Sequence, residues 1–139
     1  MTKLTKRFGF SASHRLFTDA LSEQENIEVF GKCANPFGHG HNYWLEVTVG
    51  GAPDERSGMT LARDEFDAWV RESVIERIDH TYLNEDIPEF KSAVPTTENL
   101  GLVIEKWLRS GWRQHYPDRE CGLAEIRIEE TPRNSFRLT

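Results

Sequence analysis

Two stretches of the chain alternate apolar and polar residues with the period of two that is typical of β-strands. In residues 4–14, most even positions are apolar or histidine: Leu4, Phe8, Phe10, Ala12 and His14. In residues 39–49, one face carries His39, His41, Tyr43, Leu45, Val47 and Val49. The alternation predicts two strands whose histidines point to the same side as the apolar residues.

The middle of the chain changes to helical spacing. Apolar residues between positions 64 and 78 form one helical stripe, with Asp64 as the expected N-cap. A second helix is expected to begin at a Thr96 or Thr97 cap and to end at Gly111. Residues 21–31 are predicted to be a short helical or irregular link, and residues 123–131 and 135–138 are predicted to be strands.

The resulting order, β-β-α-α-β-β, predicts one α+β domain over residues 1–139, with an antiparallel sheet covered on one face by two helices. The other face and the sheet edges lack a covering element. Association with further copies is therefore expected to complete the burial.

Composition narrows the class of protein. The chain has 139 residues, of which 37% are hydrophobic and 29% charged, as in folded globular proteins. A formal charge of -6 with scattered cations argues against a nucleic-acid partner. Because we find neither a signal-like start nor an apolar run of membrane-spanning length, we expect a cytoplasmic protein with no membrane partner. Both cysteines, Cys33 and Cys121, are then expected to be free thiols.

Three histidines form a candidate metal site. A His-x-His on a strand, here His39 and His41, places two imidazoles on one face with Cα atoms ~7 Å apart. Such a pair is often only a surface or packing feature, but His14 on the apolar face of a neighbouring strand also needs a partner. Three neutral imidazoles suit Zn²⁺ and leave its fourth position open.

Cys33 lies six residues before His39 and allows two interpretations. It is either the fourth ligand of a closed structural site, or a free thiol beside an open catalytic metal. We favour the second, since a domain with two amphipathic helices needs no metal to fold.

Three acidic positions and one histidine are further candidates. Asp79 and His80 either cap a helix end or activate the Cys33 thiol. In the second case His80 is the base and the Asp79 carboxylate orients it. Glu130 continues the apolar face of its strand, so it needs either an arginine or a ligand with a guanidine-like edge. Glu98 either binds a ligand or complements the dipole of its helix.

Five segments resemble the family of 6-pyruvoyl-tetrahydropterin synthase and 6-carboxytetrahydropterin synthase, over nearly the whole chain. They are "FSASHRL", "GKCANPFGHGHNY", "IDHTYLNED", "PTTEN" and "IEETP". The resemblance implies the following roles: zinc ligands His14, His39 and His41; catalytic Cys33, Asp79, His80 and Glu130; and pterin contacts Thr96, Thr97, Glu98 and Glu130.

The same resemblance implies the fold, the assembly and the reaction. The fold is the T-fold, whose sheets join into a barrel in a trimer, and two trimers stack into a hexamer. Sites in such assemblies lie between subunits, where Glu130 and the zinc histidines would meet Cys33 across an interface. The implied substrate is 7,8-dihydroneopterin triphosphate, from which triphosphate is eliminated, without a nicotinamide or flavin. Arg15, Lys32 and Lys91 are candidates for holding the triphosphate.

The product is pyruvoyl-tetrahydropterin in one branch of the family and a carboxy product, with loss of acetaldehyde, in the other. The five-residue spacing between Cys33 and His39 resembles the pyruvoyl branch, which we favour. The segment "GMTLARDEF" departs from the family pattern, which affects local packing before the first helix and not the chemistry.

Two interpretations outside the family stay open. A cupin-like metal protein also uses His-x-His followed by a glutamate, here Glu46, but this residue is on the opposite strand face and the helices do not fit an all-β barrel. A structural-zinc interaction module would use Cys33 as a ligand, and would unfold when its metal is removed.

Overall fold

The computed structural model describes residues 1–117 and 120–139. Two long strands form its centre: β1, Thr2–His14, and β2, His39–Gly51. They pair antiparallel along their whole length, from Thr2 opposite Gly51 to His14 opposite His39. Each strand begins and ends close to the predicted positions, and the pairing places the histidines at one end of the pair.

The connection between these strands contains the helix α1, Glu23–Phe30, and a 3₁₀ turn, Gly31–Ala34. Ser22 caps α1 in a capping box with Glu25, which explains why this polar segment forms a helix at all. The turn then carries Cys33 to the end of the sheet where β2 begins.

The remaining elements follow in chain order: α2, Arg63–Val70; a π-helical turn, Arg71–Ile75; α3, Glu76–Ile78; β3, Thr81–Tyr82; α4, Leu83–Asp86; a 3₁₀ turn, Pro88–Lys91; α5, Thr97–His115; β4, Gly122–Thr131; and β5, Asn134–Leu138. The sheet order is β3-β1-β2-β4-β5. The α+β fold with two long helical segments is as predicted, but the sheet is not wholly antiparallel, because β3 pairs parallel with β1.

Two helix boundaries differ from the prediction. The first helix begins after Ala62, and Asp64 lies inside its first turn instead of capping it. The second is capped by Thr96, whose side chain accepts a hydrogen bond from the Asn99 N–H, but it runs through Gly111 to His115. Gly111 packs against Trp69 of α2, since a Cβ there would lie 3.4 Å from the Trp69 ring, an ordinary van der Waals distance. Within the described residues, no helix has both the length and the apolar character needed to span a bilayer.

The core lies between one face of the sheet and the helices. It joins the inward residues of β1 and β2 to the apolar stripes of α2 and α5, with Phe8, Leu45, Phe66, Leu100 and Ile104 all fully buried. The opposite face is polar: Arg127 pairs with Glu46, and the Arg7 guanidinium lies 4.0 Å from the Trp44 ring centroid. The histidines therefore sit at the end of the helix-covered face.

Candidate functional site

His14 is the most deeply buried of the candidate ligands, and a hydrogen bond fixes its ring. Its side chain is fully buried, and its Nδ1 lies 2.8 Å from the Pro95 carbonyl oxygen. Because a carbonyl only accepts hydrogen bonds, Nδ1 carries the proton and Nε2 presents a lone pair. Burial lowers the pKa of His14, although the Pro95 hydrogen bond partly opposes this, so the ring is neutral at pH 7.

His41 faces His14 with the two Nε2 atoms 3.1 Å apart. Burial also lowers the pKa of His41, which keeps its ring neutral. For Zn–N bonds of about 2.0–2.1 Å in a tetrahedral site, two ligand nitrogens lie roughly 3.3 Å apart. The donor set thus fits a divalent ion between the two rings.

Cys33 completes a group of three potential ligands. The ligand atoms of His14, Cys33 and His41 all lie within 4.8 Å of one another. His39 is exposed and lies beside His41, with ring centroids 4.8 Å apart, but it is outside that group. Its role as a metal ligand stays a prediction, as does the role of Cys33 as a thiol that is not a ligand.

The Cys33 backbone is held firmly, while its thiol is only partly buried. Its carbonyl accepts a hydrogen bond of 2.6 Å from the Leu16 N–H, which ties the turn to the end of β1. Burial raises the pKa of the thiol, and the Glu130 carboxylate raises it further. In this single chain Cys33 is therefore a protonated thiol at pH 7.

Glu130 points at the histidines. Its Oε1 lies 3.1 Å from His41 Nε2 and 3.9 Å from His14 Nε2. In the described part of the chain it has no arginine partner, because Arg127 pairs with Glu46 and Glu129 instead. Glu130, the two histidines and Cys33 meet within one chain, so the expectation that they meet only across an interface is wrong.

Asp79 and His80 are held elsewhere. An Asp79 carboxylate oxygen accepts from the Ser11 N–H, and the His80 N–H donates to the Ser11 carbonyl. His80 has a φ of 60°, a conformation that is costly for a residue with a Cβ, and its side chain is 82% exposed. Their side chains contact each other, with Nε2 and Oδ2 3.4 Å apart, and among described residues no contact joins them to Cys33.

The predicted pterin contacts lie at the start of α5, directly after Pro95. Thr96 uses its hydroxyl to cap the helix, Glu98 is exposed in the first turn, and Thr97 is buried.

Tyr43 was not among the predicted site residues, although it shares the strand face of His41 and its ring centroid lies 5.6 Å from that of His41. The period of two along the strand would have identified Tyr43 as a neighbour of His41 in the site.

Tyr43 and Thr97 form a pair of buried hydroxyls beside the site. Among described residues, neither hydroxyl makes a hydrogen bond of ordinary geometry. Burial raises the pKa of Tyr43, the Glu130 carboxylate adds to the rise, and the nearby Thr97 hydroxyl partly offsets it. Buried polar groups without partners are rare and often mark functional sites.

Comparison with known proteins gives the family of this chain. Residues 3–139 match the model of the family described as 6-pyruvoyl tetrahydropterin synthase. The chain is 44% identical over 131 residues to a 6-pyruvoyl tetrahydrobiopterin synthase of Dictyostelium discoideum, covering 94% of this chain and 90% of that protein. It is 30% identical over 129 residues to a 6-carboxy-5,6,7,8-tetrahydropterin synthase of Aquifex aeolicus, covering 88% and 72%.

A solved structure supports the fold. The 6-pyruvoyl tetrahydropterin synthase of Caenorhabditis elegans superposes with a TM-score of 0.88 at 35% identity, covering 99% of this chain and 94% of that one. The predicted T-fold is thereby confirmed for the single chain, and the resemblance drawn from the five sequence segments is confirmed as well. This chain belongs to the 6-pyruvoyl tetrahydropterin synthase family.

Proposed function

We propose that this chain is a zinc-dependent lyase that converts 7,8-dihydroneopterin triphosphate to 6-pyruvoyl-tetrahydropterin and eliminates triphosphate. The observation that carries the proposal is the group of His14, Cys33 and His41 with Glu130 against it. This group lies in a chain that is 44% identical to a relative named for the pyruvoyl reaction. Its two free thiols favour the cytoplasm as its compartment.

Two features favour the pyruvoyl product over the carboxy product. Cys33 and His39 are separated by five residues, the longer of the two spacings that distinguish the branches. The chain is also 44% identical to the Dictyostelium pyruvoyl relative, compared with 39% and 30% for the carboxy relatives of Archaeoglobus fulgidus and Aquifex aeolicus. The carboxy reaction, on the same substrate, is the second candidate.

His14, His39 and His41 would hold the metal, which we propose to be zinc. When bound, zinc polarises the side-chain hydroxyls of the substrate and acidifies the adjoining C–H and O–H bonds. The Pro95 carbonyl keeps the proton of His14 on Nδ1, so Nε2 stays available as a ligand atom.

Cys33 moves protons between the side chain and the ring of the substrate. It does so as a thiolate, and the raised pKa of the thiol in the single chain means that positive charge must reach it. We assign this help to His80, oriented by Asp79. Because neither residue contacts Cys33 among the described residues of its own chain, we infer that they come from a second copy.

Glu130 anchors the pterin, since a carboxylate pairs with an amidine edge through two hydrogen bonds. Thr97 at the start of α5 and Glu130 both influence the Tyr43 hydroxyl, and Thr96 and Glu98 flank Thr97 in the sequence. In the chain alone Glu130 contacts His41, so we infer that it turns from the imidazole to the substrate.

The assembly that we propose is a trimer in which the sheets join into a barrel, with two trimers forming a hexamer. The polar sheet face and the edge strand β5 are the surfaces that such a barrel would enclose and pair. Light scattering on the purified protein measures this directly, and a monomer of 16.1 kDa would contradict it.

The decisive test is a product assay. Purified protein is incubated with dihydroneopterin triphosphate, and the pterin product, free triphosphate and acetaldehyde are quantified, with chelator-treated protein as the control. We expect pyruvoyl-tetrahydropterin, one triphosphate per turnover and no acetaldehyde. Acetaldehyde together with a carboxypterin would establish the second candidate, and an unchanged substrate would refute both.

A further inference from the structure

A cavity of about 430 Å³ adjoins the metal-site residues. His39 forms part of its wall, and so do Lys32 and Ala34, the residues on either side of Cys33. Arg15, which follows the buried His14, lines it as well. The cavity is therefore lined by one of the three predicted ligands, His39, and by residues next in sequence to Cys33 and His14.

Two cations face this cavity without a carboxylate partner. In the described part of the chain, neither Arg15 nor Lys32 makes an ion pair. Among the described arginines, five pair with acidic side chains (Arg7, Arg71, Arg109, Arg127 and Arg137) and five others, like Arg15, form no ion pair. What distinguishes Arg15 and Lys32 is their place in the wall of the cavity. Positive charge left uncompensated beside a site in a chain of net charge -6 is suited to an anionic ligand.

Arg15 is held in place before any ligand arrives. Its backbone N–H and carbonyl both bond to the Asn84 side chain, at 2.8 Å each. Its Nε donates to the Ala34 carbonyl at 3.3 Å, and its guanidinium lies 4.4 Å from the Phe17 ring centroid. The two terminal nitrogens are left for a ligand, in the planar arrangement that matches phosphate oxygens.

We propose that this cavity binds the triphosphate tail of the substrate through Arg15 and Lys32; this rests on the function proposed above. In dihydroneopterin triphosphate the first phosphate follows the carbon next to the two hydroxyls, so a tail leaving the metal site enters the neighbouring cavity. Lys91, also considered from the sequence, does not line it. The two cations hold the tail in the ground state and stabilise the charge of the departing triphosphate.

Among the described residues that line this cavity, Glu23 is the one carboxylate. It lies in the first turn of α1 and is exposed. Its negative charge repels a polyphosphate. Removing this charge should therefore strengthen binding, whereas removing either cation should weaken it.

The experiment is calorimetric titration of the intact protein with inorganic tripolyphosphate, without turnover. We expect Arg15→Gln and Lys32→Gln each to weaken binding roughly ten- to hundredfold, and Glu23→Gln to strengthen it. The matched control is Lys106→Gln on the exposed surface of α5, which makes the same charge change and should leave the affinity unaltered.

Three results would overturn the proposal: no binding of tripolyphosphate by the parent protein, unchanged affinity in both cavity variants, or an equal loss in Lys106→Gln. The Lys32→Gln variant guards against a folding defect in Arg15→Gln, because Lys32 is exposed and makes no described side-chain contact. Binding that depends on both cations in a protein that forms no pterin product would refute the proposed reaction and retain the anion site. Product formation in a protein whose binding of tripolyphosphate does not depend on either cation would retain the proposed reaction and refute the anion site.

Discussion

Replacing Cys33 by alanine separates the two possible roles of the thiol. The substitution removes Sγ but leaves the backbone hydrogen bond from Leu16 to the Cys33 carbonyl, at 2.6 Å, in place. The side chain is only partly buried, so the loss of stability should be about 1 kcal/mol or less. The turn and its neighbours are therefore expected to keep their positions.

The size of the expected effect depends on which role is right. If Cys33 transfers protons, kcat should fall about 10²–10⁴-fold, or roughly 3–5 kcal/mol of barrier, with KM little changed. His14 and His41, with their Nε2 atoms 3.1 Å apart, should still hold the metal together with His39. If the thiol is a ligand, as its position within 4.8 Å of both rings allows, the metal should be lost along with the activity.

The assay measures zinc per chain and kcat on one preparation. Cys121→Ala is the matched control, because it deletes the other free thiol, buried at the start of β4, and should keep both zinc and turnover. A Cys33→Ala protein that loses zinc stoichiometrically, or that turns over at the parent rate, would refute proton transfer as the role of the thiol.

Four further predictions follow from the site. His39→Ala should bind zinc far more weakly, and full occupancy by metal analysis would remove it from the ligand set. Glu130→Ala should fold and keep its metal but bind pterin poorly, so an unchanged KM and kcat would leave Glu130 without a substrate role. Tyr43→Phe should keep or raise the Tm, since it deletes a buried hydroxyl that lies near the Thr97 hydroxyl but makes no described hydrogen bond of ordinary geometry; a clear fall in Tm by calorimetry would show that the hydroxyl is bonded. Burial lowers the pKa of His14 and His41 below 6.5, so the unfolded chain binds more protons as the pH falls; the Tm of metal-free protein should drop between about pH 7 and 5, and a flat profile would contradict this.

Strand parity explains why so much of the site was predictable from the sequence. A period of two fixes which side chains share a face, so His14 and His41 had to point into the covered side once Phe8 and Leu45 did. The strand bounds followed for the same reason. The five family-like segments then predicted the fold that the comparisons confirm.

Features that depend on how distant segments meet were not predictable. The strand β3 has only two residues, too few for any alternation, yet its parallel pairing with β1 helps to hold Asp79 and His80 against Ser11. Gly111 was predicted to end the helix, because its contact with Trp69 of another helix is not visible in the local sequence. The Pro95 carbonyl that fixes the His14 ring comes from 81 residues away, and no local pattern reveals it.

These long-range placements bear on how the thiol becomes reactive. Burial and the Glu130 carboxylate both raise the pKa of Cys33, so a single chain disfavours the thiolate that proton transfer requires. Under the proposed function, the groups that would act on the thiol are a metal ion held by the histidines and the Asp79–His80 pair of a second copy. The first lies within reach of the same chain, as the group of His14, Cys33 and His41 indicates.

The second makes no contact with Cys33 among the described residues of its own chain. The Asp79 carboxylate accepts from the Ser11 N–H, the His80 N–H donates to the Ser11 carbonyl, and the His80 side chain is 82% exposed. A strained backbone at His80 is maintained only where the surrounding contacts impose it, and here they present the ring outward, where a neighbouring copy can meet it. Under the proposed function, a bound metal ion and the Asp79–His80 pair of a second copy would therefore both act on the Cys33 thiol.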